Sequence, residues 1–243
     1  MSGHSKWSQI KRQKGSADQK RGTLFTKCAN RIIIAARRGG GDPATNFQLR
    51  LAIDLARSAN MPKDNIERAI KRGTGELEGQ VIEEVLYEGF GPAGVGILVE
   101  SLTDSKNRTV SFLRSTFIKH GGNLGGPGSV NWMFAIRGVV RLERAALADK
   151  DLDALQFDAL DHGAQDVRDD PEGWTILTDP KDLPAIKEFF EQRGLPILEA
   201  GLEWIPTSPQ KNLSPESVAK LERLVETLES SDDVDRISVT YEH

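Results

Sequence analysis

The sequence predicts a multi-domain α+β protein: an N-terminal three-helix domain and two α/β domains, of which the inserted one is ferredoxin-like. Apolar residues recur at helical spacing through residue 75 and at strand spacing in several segments beyond it. Between residues 136 and 205 the elements follow the order β-α-β-β-α-β, which is the ferredoxin-like plan. We therefore expect domains at residues 1–76, at residues 77–135 together with 206–243, and at residues 136–205.

The first domain is predicted to contain three helices. The first begins near Thr23, a residue type that caps helices, and ends at the glycines of residues 39–41. The second opens at residues 42–43 and closes at residues 60–62. A third, shorter helix follows and ends at Gly73. A basic N-terminal segment precedes this small helical unit.

Strands are predicted at residues 81–88, 95–102 and 129–134, with a helix after Asp104. A last helix and a strand at residues 234–241 follow the complete ferredoxin-like run. An isolated helix and strand cannot bury their apolar faces, so we expect this pair to join the earlier sheet. The third domain is then an insertion in the second. Its elements are predicted at residues 138–142, 152–160, 165–168, 174–178, 183–192 and 197–204.

Charge is divided unevenly along the chain. Residues 1–75 contain 16 Lys or Arg and five Asp or Glu, a net charge of +11, whereas residues 76–243 contain 16 and 31, a net charge of −15. A polyanion responds to the local field of the face that it meets, so an overall pI near 5.7 does not argue against nucleic-acid binding. Basic proteins are the partners expected for the acidic faces.

The N-terminal arm, residues 1–22, predicts contact with nucleic acid. It has no acidic residue through Ala17, and it contains an aromatic side chain that can stack on a base. Its glycines allow the backbone to approach a phosphate closely. We expect the cations to lie on phosphates and Trp7 to stack. The predicted contact residues are Lys6, Trp7, Lys11, Arg12, Lys14, Lys20, Arg21, Lys27, Arg31, Arg37 and Arg38.

No window approaches 18 uninterrupted apolar residues, so neither a membrane span nor a membrane partner is expected. Trp7 and Ile10 are too few large apolar residues for the amphipathic face of a transit peptide. The single cysteine, Cys28, argues against a disulfide-stapled secreted fold. We expect a cytoplasmic protein.

Other kinds of site are weakly supported. Gly89, Gly91 and Gly94 satisfy the G-x-G-x-x-G pattern, but a strand is predicted to follow them, which favours a hairpin loop over a dinucleotide site. The four histidines and the cysteine lack the spacing of zinc ligands. Acidic residues within 149–161 and 169–172 are typical of solvated faces, and a metal-dependent hydrolase remains a remote alternative. We expect no enzymatic activity, cofactor, metal or small-molecule substrate.

Several motifs resemble those of the YebC/PmpR family. In the first domain they are GHSKW at residues 3–7, KRG at 20–22, GGGDP at 39–43 and NMPKDNIERAI at 60–70. Downstream they are YEG at 87–89, NRT at 107–109 and HGGNLG at 120–125. The likeness is dense through about residue 140 and architectural beyond it. The chain departs from the family at residues 126–128, GPG, where members often carry a polar residue.

The resemblance implies three domains, with the third inserted in the second, and a cytoplasmic DNA-binding transcriptional regulator. Mitochondrial and some bacterial relatives are associated with translation instead, including activation of cytochrome oxidase synthesis and relief of stalled ribosomes. We therefore predict a nucleic-acid-binding regulator of gene expression of the DNA-binding type. The alternative is an RNA-binding translation factor whose partner is the ribosome, because an arm with glycines, one tryptophan and dispersed cations also suits irregular RNA.

Overall fold

The computed structural model describes residues 18–242, with side chains from Arg21 onward. These residues form two compact units, which are described separately. One contains residues 18–134 with Pro206–Tyr241, and the other contains Ala135–Ile205 with Glu242. The helical region and the first sheet share one unit, so the domain boundary predicted at residue 76 stays a prediction.

Three helices open the first unit: α1 (Asp18–Gly39), α2 (Phe47–Ser58) and α3 (Lys63–Thr74). Both α2 and α3 pack against α1. The buried core between them is aliphatic, with Ile32, Ile33 and Leu49 almost fully inaccessible to solvent. The helices α1 and α3 lie close together at Gly73, where an added Cβ would lie 2.6 Å from the Ile33 carbonyl oxygen. The predicted three-helix region is therefore present.

The start of α2 differs from its prediction. Residues 42–45 form a turn in which the Asp42 carboxylate accepts a hydrogen bond from the Ala44 amide, and the helix begins only at Phe47. Asn46 caps it: its side-chain oxygen accepts from the Leu49 amide at 3.1 Å, and its amide group donates to the Ala35 carbonyl at 2.8 Å. The cap also ties α2 to α1, which fixes the path of the connection.

The elements beyond residue 75 are, in chain order, β1 (Glu83–Phe90), β2 (Gly96–Thr103), α4 (Lys106–Lys119), β3 (Asn123–Leu124), β4 (Phe134–Glu143), α5 (Arg144–Leu147), α6 (Leu152–Asp161), β5 (Ala164–Asp170), β6 (Gly173–Thr178), α7 (Leu183–Gln192), β7 (Ile197–Pro206), α8 (Pro215–Glu229) and β8 (Val234–Val239). Short 3-10 turns lie at Pro92–Gly94 and Asn131–Met133.

The first sheet has the strand order β3-β1-β2-β8, and the three strand pairs are antiparallel. One face, which includes Ile97 and Val99 of β2, packs against α4 and α8 in a buried core. Leu113 and Phe117 of α4 and Leu224 of α8 lie in this core. The late helix and strand thus join the earlier sheet, as predicted.

The strand predicted at residues 129–134 is wrong. The strand that joins the sheet is β3, a two-residue pairing with the end of β1, and Asn131–Met133 form a 3-10 turn. Glu88 of β1 keeps residues 128–131 out of a strand. Its buried carboxylate accepts hydrogen bonds from the amides of Gly128, Val130 and Asn131 at 2.6, 2.7 and 2.9 Å. Backbone donors used in this way are not available to a strand ladder.

The second unit contains a sheet with the strand order β5-β6-β4-β7. With the chain order β4-α6-β5-β6-α7-β7, this is the ferredoxin-like arrangement, so the predicted α+β fold class is confirmed. Arg141 of β4 and Glu203 of β7 form a buried bidentate ion pair, with distances of 2.5 and 2.8 Å. The two parallel hydrogen bonds of the pair compensate part of the cost of burying the two charges.

Candidate nucleic-acid interface

The eleven predicted contact residues fall into two groups. Six cannot be placed by their side chains: Lys6, Trp7, Lys11, Arg12 and Lys14 precede the described residues, and Lys20 lies in α1 with its side chain outside them. The remaining five, Arg21, Lys27, Arg31, Arg37 and Arg38, lie on α1. Their role in nucleic-acid contact stays a prediction.

Two of these cations turn towards the C-terminal segment of their own unit. The Lys27 ammonium donates to the Glu229 carbonyl oxygen at 2.7 Å, at the C-terminal end of α8 where helix carbonyls lack intrahelical partners. Burial lowers the pKa of Lys27, and the charges of Asp235 and Glu229 offset that effect only in part. Arg31 Nε lies 2.6 Å from the Asp235 carboxylate, next to the start of β8. These contacts fix α1 to the α8–β8 connection.

Two more cations bind the start of the first sheet. Arg37 donates to the Ile82 carbonyl oxygen at 2.6 Å, and Arg38 pairs with Glu84 at 2.5 Å. The Arg38–Glu84 pair is exposed, so it contributes little to stability and leaves the guanidinium accessible to a ligand. Arg21 is exposed on the first turns of α1. Arg21 and Arg38 are therefore the cations of α1 best placed to meet a polyanion.

The contact between α1 and the sheet is also apolar. Ile82 and Leu102 belong to the same buried cluster as the helical core, and the Asn30 side chain donates to the Leu102 carbonyl oxygen at 3.4 Å. One continuous core therefore runs from the three helices to the end of the sheet where β1 begins and β2 ends. It makes α1 the element that holds the helical region in place.

A further set of cations on α2 and α3 was not included in the sequence prediction. Arg50, Arg68 and Lys71 are exposed, and no carboxylate among the described residues lies within ion-pairing distance of them. Arg57 and Lys63 are also exposed and have only long contacts, 3.9 Å to Asp54 and 3.5 Å to Glu67. The charge count of residues 1–75 included all of these residues, but the prediction was limited to the arm and α1.

The short connection between α2 and α3 could suggest a helix-turn-helix motif. It spans residues 59–62 and contains Asn60 in the left-handed conformation, at φ 59°. However, each of the two helices packs chiefly against α1, whereas a recognition helix is positioned by the helix that precedes it. The arrangement favours a broad positive surface over a single helix inserted in a groove.

The glycine-rich loops have structural roles. The Gly91 amide donates to the Val95 carbonyl oxygen at 2.7 Å, and the strand β2 begins immediately afterwards, so the hairpin prediction for Gly89, Gly91 and Gly94 is confirmed. In the glycine-rich segment at residues 121–128 and just after it, Glu88 occupies amides that an external anion would need. Neither loop has the helix N-terminus that a dinucleotide site uses.

Several carboxylates raised as hydrolase candidates have structural partners. Asp151 caps α6 by accepting from the Ala154 amide at 3.1 Å, and Asp158 pairs with Arg193 at 3.0 Å. Between residues 18 and 242, no group of three or more His, Cys, Asp or Glu side chains is arranged to hold a metal ion. Within the same range, no helix is long and apolar enough to cross a membrane.

The fold and the interface define an α+β protein in which a basic helical region is fixed to an antiparallel sheet, with a ferredoxin-like unit in the same chain. Family models match almost the whole sequence: the N-terminal domain of TACO1/YebC proteins matches residues 5–76, and the second and third domains match residues 82–241. The chain belongs to the TACO1/YebC family, which confirms the resemblance seen in its motifs.

Individual relatives cover nearly the full length. A protein of Chlorobaculum tepidum is 49% identical over 98% of this chain and 93% of its own length. A protein of Desulfotalea psychrophila is 47% identical over 100% of this chain and 96% of its own length. Both are named probable transcriptional regulatory proteins. Among solved structures, a conserved hypothetical protein of Aquifex aeolicus is similar with a TM-score of 0.85 at 42% identity, covering 93% of this chain and 91% of that one.

Proposed function

We propose that this protein is a nucleic-acid-binding regulator of gene expression, acting through its N-terminal arm and helical region. The observation that carries the proposal is the separation of charge, +11 in residues 1–75 and −15 in the rest. The names of the relatives from Chlorobaculum tepidum and Desulfotalea psychrophila support a regulator-type function. A strongly positive region on an otherwise acidic chain favours approach of a polyanion from one side only.

The proposed contact surface has three parts. The arm supplies Lys6, Lys11, Arg12, Lys14 and Lys20 for phosphates and Trp7 for stacking on a base. From α1 come Arg21, Arg37 and Arg38, and the exposed cations Arg50, Arg68 and Lys71 extend the surface over α2 and α3. Lys27 and Arg31, whose polar groups are bound to α8 and β8, position α1 and contribute their charge from within the protein.

DNA is the first ligand that we propose, because regulation of transcription, which the relatives' names state, acts on promoters, and a binding experiment tests this. Purified protein is titrated into a labelled duplex containing a promoter sequence and into a shuffled duplex of the same composition, at physiological salt. A DNA-binding regulator binds both duplexes but prefers the promoter by a large factor, because base contacts add to a phosphate term that is common to both. Equal affinity for the two duplexes would contradict the DNA-binding form of the proposal.

Translation is the second candidate, and the packing of α2 and α3 supports it. Both helices pack against α1 and expose dispersed cations, an arrangement that suits the irregular backbone of folded RNA. Sedimentation of cell lysate through a sucrose gradient, with and without RNase, separates the candidates. A translation factor moves with ribosomal particles and is released by RNase, whereas a promoter-binding regulator stays near the top of the gradient in both samples.

The proposal places this activity in the cytoplasm. Basic proteins are the partners proposed for the acidic surface of the rest of the chain. No catalytic step is part of the proposal.

A further inference from the structure

One segment of the acidic part of the chain contains no acidic residue. Residues 105–142 form a run of 38 positions with six Lys or Arg and no Asp or Glu, although residues 76–243 contain 31 acidic residues in all. The helix α4 lies in this run. Among the described helices beyond residue 75 that are longer than one turn, α4 alone lacks a carboxylate. Its surface is therefore electrostatically unlike that of its neighbours.

The exposed face of α4 consists of two adjoining rows. Asn107, Ser111, Arg114 and Ile118 recur at spacings of four, three and four residues, which places them on one stripe of the helix, and all four are exposed. Arg108, Ser115 and Lys119 form the neighbouring row and are exposed as well. The opposite side carries Leu113 and Phe117, which lie in the core. The outward face thus combines cations with small polar residues.

Arg114 and Lys119 are available to a ligand. No acidic group among the residues that the structure describes forms an ion pair with either side chain. Ser111 and Ser115, which lie on the same face, are small and uncharged. Their hydroxyls donate to the backbone carbonyls of Asn107 and Phe112. Ile118 is 65% exposed and offers an apolar surface beside them.

The two remaining cations of α4 hold the helix in place. Lys106 pairs with Glu83 at 2.6 Å, and Arg108 binds Asp233 through two hydrogen bonds at 3.0 and 2.6 Å. Arg108 also contacts Asp104 at 2.7 Å. The acidic groups at this end of the helix are therefore neutralised by partners.

The N-terminal end of α4 meets the same strand terminus as α1. Lys106 pairs with Glu83, and Arg38 of α1 pairs with the next residue of β1, Glu84. Successive residues of a strand point to opposite faces of the sheet, so the helical region and α4 lie on opposite faces and come near each other around the start of β1. A flexible polyanion bound to the first surface has the second within reach, and two linked contacts strengthen binding more than either one does alone.

We propose that the outer face of α4 is a second contact surface for the backbone of a single-stranded nucleic acid, with Arg114 and Lys119 on phosphates and Ile118 against a base. The inference rests on the RNA-binding form of the proposed function, because the strand that binds the helical region continues around the start of β1 onto α4. A single strand is favoured over a duplex, since small side chains and one apolar residue suit a splayed strand.

The test uses the full chain and a labelled single-stranded RNA of mixed sequence. Affinity is measured over a range of salt concentrations for the wild type, for Arg114→Gln with Lys119→Gln, and for a control, Lys150→Gln with Lys181→Gln, which removes two exposed cations from the other unit. At about 0.7 per neutralised phosphate on a single strand, the slope of log K against log salt is expected to fall by about 1.4 in the α4 variant and to stay unchanged in the control.

Failure of the inference and failure of the proposed function are distinguishable. A wild type that binds with the same slope as the α4 variant overturns the inference alone, whereas a wild type that binds neither RNA nor DNA overturns both. The variants keep the wild-type melting temperature, because the substituted side chains are exposed and have no ion-pair partner among the described residues. If the α4 variant instead loses binding to a polyglutamate peptide while RNA binding is intact, the surface serves an acidic protein segment and the inference is wrong.

Discussion

The ammonium group of Lys27 lies 2.7 Å from the backbone carbonyl oxygen of Glu229, which joins α1 to α8, the first and the last of the described helices. The two residues are 202 positions apart in the sequence. A cation at the C-terminal end of a helix opposes the partial negative charge of the free carbonyls there. The contact shows that the basic N-terminal region also has a structural role.

The first prediction concerns alkaline pH. Burial lowers the pKa of Lys27 in the folded protein, whereas in the unfolded chain it returns to about 10.4. Between these two values the unfolded chain binds more protons, so the free energy of unfolding rises with pH in that window. Lys27→Met lacks this titration. Urea unfolding of both proteins from neutral pH to about pH 10.4 should show the wild type gaining stability relative to the variant. A constant difference would contradict the prediction.

The second prediction compares two ion pairs of α1. Arg31 and Asp235 are 22% and 13% exposed, whereas Arg38 and Glu84 are 69% and 44% exposed. Double-mutant cycles with Gln and Asn substitutions in urea unfolding should give a coupling energy of about 1.5 kcal/mol or more for the first pair. The exposed pair should give less than about 1 kcal/mol, because water screens it. Equal coupling energies in the two cycles would show that the Arg31–Asp235 pair does not stabilise the packing of α1 against β8.

The third prediction concerns Glu88. Burial by itself would raise the pKa of this carboxyl, but hydrogen bonds from the amides of Val130, Gly128 and Asn131 outweigh it and leave the pKa below its ordinary value. Glu88→Gln should cost about 1.5–3 kcal/mol of stability at neutral pH, because hydrogen bonds to a charged acceptor are lost or weakened. Hydrogen exchange at those three amides should become faster. Unchanged protection would mean that Glu88 does not hold the segment.

The same carboxylate predicts a dependence on acid. Its pKa is depressed on folding, so its stabilising contribution is present above about pH 4.3, the unfolded value, and is lost as the pH falls through the lower folded value. The stability difference between the wild type and Glu88→Gln should therefore shrink in that acidic range. Urea unfolding at several pH values below neutrality measures this difference.

The fourth prediction uses two glycines. A Cβ at Gly73 would lie 2.6 Å from the Ile33 carbonyl oxygen and 2.6 Å from the Ala36 Cβ, so Gly73→Ala should force α1 and α3 apart and cost about 1–3 kcal/mol. Gly22, in the exposed part of α1, has nothing within 4 Å of an added Cβ. Gly22→Ala should stabilise by about 0.5–1 kcal/mol through helix propensity. Thermal melts of the two variants should shift in opposite directions.

Sequence patterns predicted most of the fold because most of its elements are determined locally. The α6 and α7 helices and the strands β5, β6 and β7 lie within two residues of their predicted bounds, since apolar periodicity is a local signal, whereas β4 begins at Phe134, four residues before its predicted start. The strand predicted at residues 129–134 is wrong, because Glu88, 40 to 43 residues earlier, takes the amides of that segment. No local pattern reveals a competing acceptor at that distance.

The candidate interface was less predictable for a similar reason. Charge counting located the basic region, but it could not tell which cations are bound within the protein. Lys27 and Arg31 find their partners 202 and 204 residues away, on elements that only the folded chain brings near. The count also included Arg50, Arg68 and Lys71, but the structure was needed to show that they are exposed.

Neutralising the arm in the full chain tests the central claim most directly. Lys6, Lys11, Arg12 and Lys14 are changed to Gln, and the affinity for a labelled nucleic acid is compared with that of the wild type and of the Lys150→Gln, Lys181→Gln control. We predict a loss of at least about tenfold in the arm variant at physiological salt and none in the control, because phosphate contacts dominate affinity. An arm variant that binds as tightly as the wild type would contradict the account.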